Sequence, residues 1–166
     1  MRFLGRIVLL LVGLIFAIPA GTVALAIGIA AEPAARELTA LIGIAVMNAV
    51  FDDAFRGVEP DLIGLQLFYG FGAISLVVLI APVSLVAIVG EVIRNASFVF
   101  YAGVTGLLTA GIPWVLRGGV TTSGAALAAE GRITALLFVT GAVAGLVYWL
   151  VAGRGAGRKR APEGVR

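Results

Sequence analysis

The sequence predicts an all-α, polytopic transmembrane helix bundle with four spans and a short interfacial helix after the first. Three observations carry that expectation. Four apolar runs, residues 7–31, 62–90, 98–116 and 133–153, contain no Asp, Glu, Lys or Arg. Each is long enough to cross a hydrocarbon core of about 30 Å as a helix. The mean hydropathy is +1.12 and only 13% of the residues are charged. An average soluble domain has about 25% charge, and a soluble fold would have nowhere to hide this much apolar surface. Finally, the basic residues gather on one side of the alternating segments.

That side collects Arg2, Arg6, Arg94, Arg154, Arg158, Lys159, Arg160 and Arg166 against two acids, Glu91 and Glu163. The other side holds Arg36, Arg56, Arg117 and Arg132 with seven acids, Glu32, Glu37, Asp52, Asp53, Glu59, Asp61 and Glu130. Lys and Arg near span ends favour the cytoplasm, so both termini are expected there, with an even number of spans. Arg-, Ala- and Gly-rich composition suggests GC-rich coding and a bacterial inner membrane.

The first run follows Arg2 and Arg6 and contains Pro19 near its middle. It resembles a signal peptide, with Ala24-Leu25-Ala26 in the form of a cleavage site. Its continuation to Ala31 favours an uncleaved anchor; cleavage would leave three spans. Residues 38–51 follow, mostly apolar and fourteen long, between Arg36-Glu37 and Asp52-Asp53. That length suits an interfacial or re-entrant helix better than a crossing.

The second run would make a helix of about 43 Å at 1.5 Å per residue, longer than the bilayer core. Its crossing is expected to start near Tyr69, and a kink is expected at Pro82 as at Pro19. Glu91 and Arg94, three apart, would share a face if the helix continued. Tyr101 and Trp114 flank the third run, and Tyr148 and Trp149 close the fourth, positions suited to the headgroup level. Residues 117–132 are Gly-, Thr- and Ala-rich and read as a flexible outer loop. Residues 1–153 are expected to form one transmembrane domain, and 154–166 a basic, disordered cytoplasmic tail.

Small residues recur four apart at Gly13, Ala17 and Gly21, at Ala102, Gly106 and Ala110, and at Gly141 and Gly145. Such stripes let helix backbones approach closely, either between helices of one chain or across an oligomer seam. Arg154, Arg158, Lys159 and Arg160 form a juxtamembrane patch suited to anionic lipid headgroups. Asp52 and Asp53, with Glu59 and Asp61, are the one acidic cluster. They match no EF-hand spacing and read as a solvated external loop.

Cys and His are both absent, which removes disulfides, His-held haem, Cys/His zinc sites and imidazole proton shuttles. The runs carry no ionisable group of the kind that marks ion pathways, and no basic stripe for nucleic acid is present. The expected role is non-enzymatic, without cofactor or metal: a scaffold, accessory subunit or modulator that contacts the lipid bilayer and another membrane protein or itself. The alternative is an oligomeric pore or uncoupled small-solute transporter, with Thr105, Thr109 and Gln66 facing a lumen.

Overall fold

A computed structural model describes residues 2–94, 96–118 and 124–155. These residues are helical almost throughout, with no strand among them. In chain order the elements are α1 (Arg2–Ala31), α2 (Pro33–Phe55), α3 (Pro60–Ser75), a π-helical turn (Leu76–Ile80), α4 (Ala81–Val92), α5 (Phe98–Arg117) and α6 (Gly124–Val151). A 3₁₀ turn, Gly153–Gly155, follows α6.

Proline sets where two of these helices begin. Glu32 is the one residue between α1 and α2, extended at φ −100° and ψ 117°, and Pro33 starts α2. Glu59 repeats the arrangement, extended at ψ 139° before Pro60 at the head of α3. A residue before proline is pushed out of the α region, whereas proline itself fits a first helical turn. The same dipeptide, Glu-Pro, therefore opens both helices.

The turn between α2 and α3 is equally determined. Gly57 is left-handed at φ 77°, a conformation that glycine enters without a Cβ penalty. Its amide donates to the Ala54 carbonyl and that of Val58 to the Asp53 carbonyl, both at 3.0 Å. This is the paired bonding that closes a helix C-terminus.

Four helices form a closed body in which each neighbour runs antiparallel. Along α1 and α6, Gly13 faces Tyr148 and Ala152, Gly21 faces Ala144, and Gly28 faces Leu136. Along α5 and α6, Gly145 meets Tyr101, Gly141 meets Thr105 and Thr109, and Gly106 meets Phe138. Leu79 reaches Gly21, while Glu91 pairs with Arg6 at 3.4 Å, so α4 also runs against α1. Gly90 against Tyr101 closes the ring between α4 and α5. The core is Ala17, Val83, Val86, Ala87, Tyr101, Ala144, Tyr148 and Ala152.

Outside this body, α2 and α3 form a hairpin. Ala35 is the one buried residue in α2, and α3 has none. The π turn joins α3 to α4: the Ala81 amide donates to the Leu76 carbonyl, five residues back. Pro82 can supply no amide and crowds the turn before it, and widening that turn to π geometry relieves the crowding. Through Pro19, by contrast, α1 continues as a single helix.

Among the described residues, five helices are long and apolar enough to cross a membrane: Gly5–Ala31, Pro33–Phe55, Pro60–Val92, Phe98–Leu116 and Leu127–Val151. Length and composition thus suit a membrane location. Two local expectations are corrected. The segment around residues 38–51 belongs to a helix of 23 residues, because the charged residues at both ends continue the helix rather than ending it. The loop expected over 117–132 is largely helical, since α6 starts at Gly124. Its Ala-Ala-Leu-Ala-Ala stretch has high helix propensity, which outweighs the flanking glycines. Gly119, Thr121, Thr122 and Ser123 lie outside the described residues.

Candidate functional site

The small-residue stripes line the seams within the chain. Ala17 is fully buried, and a Cβ on Gly13 would come within 2.9 Å of the Tyr148 ring. At Gly21 the same test gives 3.1 Å to Ala144. On α5, Gly106 packs on the Phe138 carbonyl and ring; Ala110 is buried and Ala102 half-buried. Gly141 lies against the Thr105 carbonyl and the Thr109 side chain, and Gly145 against the Tyr101 carbonyl. The α6 backbone thereby rests on the α5 carbonyls of Tyr101 and Thr105 and on the short threonine side chains beside them.

One arrangement was invisible in the run pattern. Tyr101 and Tyr148 do not reach outward to headgroups: both are buried, with ring centroids 5.5 Å apart. Gly13, Gly90, Gly145 and Gly153 make room for them. Four glycines at one end of the bundle were the available signal, but high glycine content hid it. Both hydroxyls are buried without a hydrogen-bond partner, as are the Thr105 and Thr140 hydroxyls.

Around this aromatic centre lies a polar rim. Trp149 Nε1 donates to the Ala96 carbonyl at 2.7 Å, and the Arg154 guanidinium sits 4.6 Å above the Trp149 ring. Arg6 and Glu91 join the rim. The expected Glu91–Arg94 face does not form, because α4 ends at Val92 and Arg94 turns left-handed at φ 52°. Arg158, Lys159 and Arg160 lie outside the described residues. At the opposite end, Arg132 pairs with Glu32 at 3.6 Å.

The residues expected to face a lumen are not brought together. Thr105 and Thr109 are buried in the α5–α6 seam, where the Thr109 hydroxyl donates to the Thr105 carbonyl at 2.9 Å. Gln66 lies on the hairpin, in the groove between α2 and α3. Asp52 pairs with Arg56 at 3.9 Å on an exposed helix end, and no acidic group of metal-holding form occurs among the described residues.

What remains open is the hairpin itself. Ile44, Met47, Phe55, Phe68, Tyr69 and Phe71 are all more than half exposed. Between its two helices runs an apolar groove of about 430 Å³. No family model, curated protein or solved structure matches this chain. Its functional reading therefore rests on its own geometry.

Proposed function

We propose that the chain is a non-enzymatic integral membrane protein whose four-helix body crosses the bilayer and whose α2–α3 hairpin stays on one side. In this reading the hairpin is the contact surface through which the protein serves as scaffold, accessory subunit or modulator of a membrane complex.

Parity supports the topology. The α1 and α4 helices run antiparallel, and α3 continues into α4 without reversing. If α1 crosses in one direction and α4 in the other, α2 must begin and end on the same side. A full crossing by α2 would require α4 to run parallel to α1. The ion pairs at the two ends of α1 support the membrane boundaries: Arg6 and Glu32, the residue that follows the helix, are about 39 Å apart at 1.5 Å per residue. A bilayer with its headgroup regions is about 40–45 Å thick. Charge supports the orientation, because Arg6, Arg94 and Arg154 share the end that carries both termini of the bundle, with the hairpin opposite. By the positive-inside rule that end is cytoplasmic.

The observation that carries the functional reading is the contrast between body and hairpin. The close-approach stripes pack the body's helices on one another, whereas α2 buries only Ala35 and α3 buries no residue, so the hairpin's apolar faces are left without partners in the chain. A helix apolar on all faces is covered by lipid or by protein. Purification from native membranes in mild detergent, with a photo-crosslinker at Phe68 or at Leu107, tests it. A stoichiometric partner captured from Phe68 and not from Leu107 fits the reading. A monomer with no partner captured at either position counts against it.

A further inference from the structure

The groove between α2 and α3 has a chemistry of its own. Its walls are apolar, from Ile42 and Val46 on α2 to Leu67, Phe71 and Ile74 on α3. Only two polar side chains line it, Asp53 and Gln66, and both are placed towards the Gly57 turn. The turn region holds Asp52, Asp53, Glu59 and Asp61 against one base, Arg56, which pairs with Asp52. The surroundings of Asp53 are therefore acidic. A groove of about 430 Å³ falls within the range of small-molecule sites, roughly 300–1,000 Å³.

We propose that this groove binds one acyl chain of a phospholipid with a primary-amine headgroup. The chain lies between Val46 and Phe71, with its end towards Ile42 and Ile74. The ammonium meets the Asp53 carboxylate, and the Gln66 amide donates to the phosphate. Charge complementarity selects this occupant over an anionic lipid, whose headgroup would meet four carboxylates and no unpaired base on the hairpin turn. The proposal rests on the one-sided hairpin, which sets Glu32 and the turn at one membrane surface. Asp53 then sits at headgroup depth, and Ile74 lies towards the body, on the segment that leads into α4.

The test is native mass spectrometry of the full chain, titrated with phosphatidylethanolamine or phosphatidylglycerol of identical acyl chains. The amine lipid is expected to bind more tightly by about fivefold, the ratio given by one headgroup charge contact of about 1 kcal/mol. Asp53→Asn should bring the two lipids close to equal affinity. Filling the groove by Val46→Trp or, from the facing helix, Leu67→Trp should remove the preferred adduct while helicity and melting temperature stay unchanged. Equal or stronger binding of the anionic lipid, or adducts indifferent to both tryptophans, would overturn the proposal. Impermeant labelling of Glu37→Cys and Arg56→Cys separates the two levels. Same-side labelling without lipid preference sinks the groove assignment alone, and opposite-side labelling sinks the hairpin reading beneath it.

Discussion

Gly145 of α6 rests directly on the main-chain carbonyl of Tyr101 in α5. Contact at this distance leaves no space for a Cβ, and it holds the two longest-packed helices of the body together. Within a bilayer, apolar burial gives little net drive between helices, so association depends on such close packing. Gly145→Ala is predicted to destabilise the protein by about 1–3 kcal/mol, the cost of overpacking. Gly43→Ala on α2, where no atom lies within 4 Å, should be neutral or stabilising by up to about 1 kcal/mol through helix propensity. Thermal or denaturant unfolding of both variants in the same detergent checks the contrast.

The Arg6–Glu91 pair is geometrically informative and energetically minor. Its side chains are 49% and 21% exposed, and exposed pairs contribute about 0–1 kcal/mol. Glu91→Gln should therefore change stability by less than about 1 kcal/mol. A larger loss in an unfolding titration would mean that Glu91 has a buried partner as well.

At Gly57 the left-handed backbone is predicted to make Gly57→Ala locally costly, by about 1–2 kcal/mol. Because the hairpin packs little against the body, the effect belongs to the hairpin and not to global unfolding. Hydrogen exchange should rise in α2 and α3 while protection in α5 and α6 is unchanged.

Trp149→Phe removes the indole donor to Ala96 and weakens the platform under Arg154. The lost hydrogen bond is predicted to cost about 0.5–1.5 kcal/mol, and a melting curve of the variant measures it. Trp114→Phe serves as the comparison; both changes remove one indole from the two in the chain.

Much of the helical plan was legible because its signals are local. Charge-free runs predicted α1, α4, α5 and most of α6, and the lengths follow from the bilayer. The Glu32-Pro33 and Glu59-Pro60 breaks have an equally local cause, although run length alone did not reveal them. Tyr101 and Tyr148 were misplaced because near-terminal position in a run does not say which face a residue occupies; the facing glycines on other helices decide it. The helical start of α6 was obscured by glycine and threonine around an alanine-rich stretch. The pore-facing expectation for Thr105 and Thr109 met the same difficulty, since a polar side chain in a span can bond to its own backbone.

In the proposed topology α2 begins and ends on one side of the membrane. The chain has no cysteine, so single-cysteine variants Glu37→Cys and Arg56→Cys can be labelled cleanly in sealed, right-side-out vesicles with a membrane-impermeant maleimide. Labelling of both from the outside, with Arg6→Cys protected until the vesicles are opened, is the predicted result. Labelling of Glu37→Cys and Arg56→Cys from opposite sides would make α2 a full crossing and contradict that topology.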